Sequence, residues 1–179
     1  TSSASVTVTQ ENCENIENIF NYLFYDCKID SIKAILVRDE GIYKTPESER
    51  KKIFKAYTWL VDKISEFTES GLIKNHNKES LQGKLHNAKD RISYDLVKKM
   101  YLEPHYISPC HAGSLFGVIT ASGLIYPCEI LDDKLLGDLR KNDMDFKKIW
   151  ESKNSVEAKK FIKKTKCNCT YECALTYNV

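Results

Sequence analysis

The chain has 179 residues, 42% of them apolar and 11% aromatic, enough to bury a core in one ordinary domain or two small ones. Its 27 Lys plus Arg against 25 Asp plus Glu give a net charge of only +2, which offers no support for a nucleic-acid or acidic-polymer partner. No apolar run reaches the length of a membrane span and no signal peptide opens the chain, so a soluble, cytoplasmic protein is expected. In chain order, S-V-T-V-T at 5–9 alternates and is rich in β-branched residues, which predicts a strand. Cys13, Ile16, Ile19, Phe20, Leu23 and Phe24 then recur at helical spacing. The apolar run I-K-A-I-L-V at 32–37 predicts a buried parallel strand, ending at R-D-E-G. In T-P-E-S-E at 45–49, Thr45 is placed to cap a helix and Pro46 fits its first turn. That helix carries Ile53, Phe54, Tyr57, Leu60, Val61, Ile64 and Phe67 on one face and stops at Gly71.

Strand, helix, strand and helix in that order describe a parallel α/β unit with a right-handed crossover. Two strands are not a whole sheet, and Thr1 is not an initiator methionine, so the sequence is expected to be cut from something longer or processed. The chain turns polar from about 75 to 90, and a third helical pattern on Leu85, Ile92, Leu96, Val97 and Met100 stops before Pro104. Beyond it, L-F-G-V-I-T, A-S-G and L-I-Y-P-C predict a β-hairpin turning near Gly123, which brings Cys110 and Cys128 together. Two short helices, 145–150 and 156–162, with Phe146, Ile149, Trp150, Phe161 and Ile162 as buried positions, lead into C-N-C-T-Y-E-C at 167–173.

Seven cysteines, an odd number, with no secretory signal argue against a disulfide framework. Cysteines that only fill space have no reason to crowd into the seven largely polar residues 167–173. Cys110, Cys128, Cys167, Cys169 and Cys173 are therefore the candidate metal ligands, four of these five holding the site, whereas Cys13, on the helical stripe, and Cys27, at a helix end, are expected to be structural. All-thiolate ligation suits Zn²⁺ or an iron–sulfur cluster. Zinc sites usually show paired C-x2-C knuckles, absent here, but spacing leaves the two open. Residues 140–166 hold ten basic and four acidic residues, and Lys159, Lys160, Lys163, Lys164 and Lys166 are placed to offset an anionic cluster; the bland alternative is a solvated helix face. In the first part of the chain, Asn12 and Arg38 stand at the C-terminal ends of their strands, with Asp39 and Glu40 beside Arg38, on the side where parallel barrels build sites; an ordinary solvated loop competes with a cofactor contact. His111 fits a hydrogen-bonding neighbour of the site better than a ligand.

C-H-A-G at 110–113, V-I-T-A-S-G-L-I-Y-P-C at 118–128, L-L-G-D-L-R at 135–140, F-K-K-I-W at 146–150 and K-C-N-C-T-Y-E-C-A-L at 166–175 together resemble the C-terminal SPASM or twitch region of radical S-adenosylmethionine enzymes. That pattern opens with Cys, nine to fifteen residues, Gly, four residues and Cys, and Cys110, Gly123 and Cys128 satisfy it. Residues 6–12 and 32–41 more loosely resemble the late strands of the family's partial (β/α)6 barrel. The resemblance implies an α/β chain in three parts: 1–75 the end of a partial barrel, 76–104 a helical linker, and 105–179 a SPASM/twitch-like iron–sulfur domain. It also implies one auxiliary [4Fe–4S] cluster on Cys110, Cys128, Cys173 and either Cys169 or Cys167, with Asn12 and Arg38 on the S-adenosylmethionine side. In the complete protein it implies reductive cleavage of S-adenosylmethionine, hydrogen abstraction from a peptide or small-molecule substrate, a second [4Fe–4S] cluster, and a reductant such as flavodoxin or ferredoxin. This chain departs from the pattern in two ways: it lacks the further cysteines of a two-cluster SPASM region, and it lacks the C-x3-C-x2-C motif of the radical-generating cluster. Alone, it is expected to be inactive. The rival expectations are a structural zinc module and a non-catalytic electron-transfer or docking domain.

Overall fold

The structure is a computed structural model that describes residues 2–38, 45–76, 79–170, 175 and 177. It divides into two units, Thr1–Glu103 and Pro104–Cys169, with Leu175 and Tyr177 belonging to the second. Asp39, Glu40 and Cys173 lie outside the described residues.

In the first unit, strand β1 (Ser3–Val8) pairs in parallel with β2 (Ser31–Leu36), in a register that sets Val6 beside Ala34 and Val8 beside Leu36. Both strands alternate: Val6, Val8, Ile32, Ala34 and Leu36 are buried, whereas Ser3, Ser5, Thr7 and Lys33 are exposed. The β2 run is thus half-buried, not buried on both faces as its composition suggests, because Lys33 claims water on one side. The crossover is built from a 3₁₀ turn (Cys13–Asn15), helix α1 (Ile16–Asn21) and a π turn (Tyr22–Asp26). The predicted single helix is thus broken into three pieces, and Phe67 lies edge-on to both Phe20 and Phe24, at 5.1 and 4.9 Å between centroids.

Helix α2 (Glu47–Ser70) buries Ile53, Ala56, Tyr57, Leu60, Val61, Ile64 and Phe67, and packs across β2. Phe54 is half-buried, and Gly71 ends the helix at φ 78°, a left-handed conformation that glycine adopts without strain. Thr45 does not cap α2. It is buried, and Pro46 takes the position before the helix with no side-chain cap.

Helix α3 (Leu81–Leu102) starts earlier than the apolar pattern suggests, since the Ser80 hydroxyl accepts from the Gly83 N–H at 3.0 Å. Its buried face is Gly83, Ser93, Val97, Met100 and Tyr101, while Leu85 and Ile92 are 62% and 50% exposed, so the face is rotated from the predicted stripe. Two contacts fix that rotation. Arg50 donates to the Tyr101 carbonyl at 2.6 Å with its guanidinium 4.4 Å from the Tyr101 ring centre, and Tyr94 meets Tyr57 edge-on.

The second unit is a three-stranded antiparallel sheet with two helices. β3 (Val118–Ile119) and β4 (Leu124–Tyr126) form the predicted hairpin, and β5 (Gly137–Asp138) pairs with β4. Gly123 makes the turn at φ 87° and donates to the Thr120 carbonyl at 2.9 Å. Helix α4 (Phe146–Trp150) is capped by the Asp145 carboxylate, and α5 (Lys153–Thr165) by the Ser152 hydroxyl. Ile125, Leu136, Leu139, Ile149 and Ala158 form the core, with Trp150 packed on it. Ile162 is buried, but Phe146 and Phe161 are not: Phe146 stacks on Trp150 at 5.2 Å, and the Lys134 ammonium lies 4.4 Å from the Phe161 ring centre. Among the described residues no helix is long and apolar enough to cross a membrane.

Candidate metal centre

The second unit delivers its cysteines from three places. Cys110 opens a tight loop in which the Gly113 N–H donates to the Phe116 carbonyl at 2.8 Å and the His111 carbonyl accepts from Ser114 and Leu115 at 3.0 and 2.9 Å. Gly113 has φ 74°, and a Cβ there would stand 3.2 Å from the Pro127 Cβ, so this glycine lets the Cys110 loop approach the backbone just before Cys128. Cys128 follows β4, two residues beyond the hairpin.

Cys167 comes from the end of α5. Lys166 takes the left-handed conformation at φ 51°, its N–H donates to the Lys163 carbonyl at 3.4 Å, and the Cys167 N–H donates to the Ile162 carbonyl at 3.1 Å. This pair of bonds is the Schellman motif, built on a lysine where glycine is usual. It reverses the chain, so that Cys167 and Cys169 leave the helix axis.

The thiols converge. Cys167 hydrogen-bonds to Cys110, and that bond, burial, and the nearness of Cys110, Cys169 and Cys128 together push its thiol far above the ordinary range. Cys128 is raised as well, by burial first; the backbone N–H groups of Ile130 and Glu129 oppose the rise, while Cys110 and the Glu129 carboxylate add to it. All six described cysteines are thiols. Among the described residues no three His, Cys, Asp or Glu side chains already stand as a ligand cage. Cys110, Cys128 and Cys169 are neighbours of Cys167, and a metal held there would require thiolates.

That donor set fits a cationic centre. Thiolates placed this close raise one another's pKa, and a bound metal removes the repulsion and deprotonates its ligands. Soft sulfur donors select zinc or iron–sulfur over hard cations. His111 is half-buried in the Cys110 loop. Of the cysteines outside the group, Cys13 is buried as core packing requires, but Cys27 is exposed at the end of the π turn.

In the first unit, the Asn12 amide is engaged with the end of β1: its Nδ2 donates to the Thr7 carbonyl at 2.8 Å, and its Oδ1 accepts from the Thr9 N–H at 2.9 Å. Arg38 follows β2 and is half-buried. The sequence singles out neither Gly113 nor Lys166 as structural. A glycine three residues after a candidate ligand is a signal that could have found the first, but a lysine in the left-handed region leaves no such signal.

No curated protein and no solved structure matches the chain. Residues 110–174 match the family model of SPASM, an iron–sulfur cluster-binding domain, a span that begins at the first converging thiol and takes in the last three cysteines. The chain therefore carries a SPASM iron–sulfur cluster-binding domain in its second unit.

Proposed function

We propose that this chain is the accessory, cluster-bearing portion of a radical S-adenosylmethionine enzyme, with one auxiliary [4Fe–4S] cluster in the SPASM domain. The observation that carries this reading is the convergence of Cys110, Cys128, Cys167 and Cys169 inside the matched span. The hydrogen bond between Cys167 and Cys110 favours Cys167 over Cys169 as a ligand, alongside Cys110, Cys128 and Cys173. When bound, an all-thiolate cluster supplies one-electron chemistry with no open position for substrate.

The chain's own residues do the rest. The thiols release protons on loading, the N–H groups of Ile130 and Glu129 favour the Cys128 thiolate, and the Gly113 and Lys166 turns hold the ligand-bearing segments in place. The parallel pair β1–β2 with its helices is the end of a partial (β/α)6 barrel in this reading. Its C-terminal edge, with Arg38 and the Asn12 turn, is the side turned to S-adenosylmethionine, since parallel sheets build sites at that edge. The complete protein then acts on a peptide or small-molecule substrate and draws electrons from a flavodoxin or ferredoxin.

A structural zinc module is the second reading, favoured by the same all-sulfur donor set. Anaerobic purification with iron, sulfide and zinc analysis separates the two: about four irons and four sulfides per chain, with broad visible absorption, are expected. One zinc without sulfide overturns the cluster reading. In the same assay, Cys167→Ser is expected to lose most of the bound iron and Cys169→Ser to keep it; the reverse result exchanges the two assignments.

A further inference from the structure

Helix α5 presents a face that cluster binding does not use. It buries Ser155, Ala158 and Ile162, which turns Lys153, Lys160, Lys163 and Lys164 to solvent. Lys153 lies 3.8 Å from Glu157, whereas among the described residues the ammonium groups of Lys160, Lys163 and Lys164 have no ion-pair or hydrogen-bond partner. Lysines in a last turn complement the helix dipole, which accounts for Lys163 and Lys164 but not for Lys160 in the middle of the helix. Nor does the dipole account for segregation: residues 140–166 carry +6, from ten basic and four acidic residues, in a chain whose net charge is +2.

Two further observations narrow the partner. Val156, 43% exposed, shares the i, i+4, i+7 stripe with Lys160 and Lys163, and Phe161, 37% exposed, lies beside it. Exposed Val156 and Phe161 within a cationic surface give a protein partner apolar area to cover, which a phosphate backbone does not offer. The same helix ends in the Schellman turn that delivers Cys167, so Lys163 and Lys164 stand within one turn of a thiol of the metal site.

We infer that the Lys160–Lys163–Lys164 face of α5 is the docking surface for a small acidic electron-carrier protein that serves the cysteine site. This rests on the iron–sulfur reading for its redox role. One electron leaves the reduced carrier, which is oxidised, and enters the centre held by the cysteines, which is reduced; no bond is made or broken and no proton moves. Charge complementarity of this kind gives fast, salt-sensitive and weak association, as such exchange requires.

The test uses the full anaerobically purified chain with a small acidic [2Fe–2S] ferredoxin as probe, and calorimetric titration at low and at about 0.3 M salt. Binding is expected at low salt, at least tenfold weaker at high salt, and at least tenfold weaker for Lys160→Glu/Lys163→Glu/Lys164→Glu, a change of about 1.4 kcal/mol. Because glutamates at a helix C-terminus oppose the dipole, the neutral Lys160→Gln/Lys163→Gln/Lys164→Gln variant is measured in parallel and is expected to fall between the two. Both variants should retain the iron content and circular dichroism of the parent. Equal binding by parent and variants, or salt-independent binding, overturns the docking surface while leaving a loaded cluster reading intact. A chain that binds the probe through these lysines but holds no iron overturns the electron role instead. Lysine-dependent binding of a duplex DNA oligonucleotide tighter than that of the ferredoxin also overturns the assignment.

Discussion

Gly137 in β5 is the sharpest point at which to test the packing of the cluster-binding unit. A Cβ there would stand 2.8 Å from Ile149 Cγ2, 3.1 Å from Cγ1 and 3.4 Å from Cδ1. Ile149 is 2% exposed and β-branched, so its γ-carbons cannot swing aside as the tip of a long side chain does. Overpacking of this kind costs about 1–3 kcal/mol. Gly137 does not occupy the left-handed region, so alanine also restricts the unfolded chain and returns about 0.4–1 kcal/mol. The net expectation for Gly137→Ala is a loss of about 1–2 kcal/mol. Ile149→Ala alone should cost about 2–5 kcal/mol, since it opens a cavity in the core. In that background the added methyl enters vacated space, so Gly137→Ala should cost nothing, and the cycle should show a coupling of about 1–2 kcal/mol. The chain has two tryptophans, and a Trp59→Phe background leaves Trp150, beside Ile149, as the fluorescence probe of urea unfolding. The expected midpoint shift for Gly137→Ala is roughly 1 M urea. A neutral or stabilising Gly137→Ala, or costs that simply add in the double variant, would refute the packing of β5 against α4.

The remaining predictions concern charge, thiols and a turn. The Asp30 carboxyl is held at about 2, below its usual 3.8, first by the hydrogen bond from Lys74 and next by the Ser2 backbone N–H. A depressed folded-state pKa means that its stabilising contribution is complete above about pH 4 and is lost as pH falls toward 2. Acid titrations of parent and Asp30→Asn should therefore differ at pH 6 and converge below pH 2. In the metal-free chain, alkylation at pH 8 should mark exposed Cys27 at least about tenfold faster than Cys128 and Cys167, whose thiols burial and crowding keep protonated; equal rates, resolved by peptide mass spectrometry, would contradict the thiol cluster. Lys166→Gly should raise the unfolding free energy of the second unit by about 1 kcal/mol by relieving a left-handed non-glycine residue, and Lys166→Val should lower it, both read from the urea midpoint.

Where a signal was local, the sequence carried it. Val6 and Val8 alternate with polar residues, Gly71 stops α2, and Gly123 between two apolar runs makes the hairpin, because periodicity and left-handed glycines act over a few residues. Where contacts across elements decide, the sequence pattern misled. Leu85 and Ile92 look like the inner face of α3, yet Arg50 and Tyr57 from α2 draw Tyr101 and Tyr94 inward and turn that stripe to solvent. Phe146 and Phe161 look like core and instead find an aromatic neighbour and a lysine at the surface. The metal centre divides the same way. The hairpin that relates Cys110 to Cys128 was legible, but the arrival of Cys167 beside Cys110 depends on a helix that ends at a lysine, which no composition rule marks.

The position of the cysteines also bears on what holds the second unit together. Its core consists of Ile125, Leu136, Leu139, Ile149 and Ala158 with Trp150 against them, and a core of that size in a unit of well under 80 residues supplies only about 3–5 kcal/mol. Ile125 precedes Cys128 in β4, and the others lie between Cys128 and Cys167. Cys110 stands before the hairpin and Cys167 after α5, so a metal that joins them to Cys128 would add a link across two loops of chain. Crowded thiols that resist deprotonation work against the metal-free fold at alkaline pH, and ligation turns that repulsion into bonds. A metal bound by these cysteines would therefore be a structural member of the unit. Its removal by an iron chelator under reducing conditions should lower the second unit's unfolding midpoint, followed at Trp150, and leave that of the first unit, followed at Trp59, in place. An unchanged second-unit midpoint would show that the loops are closed by something other than the metal.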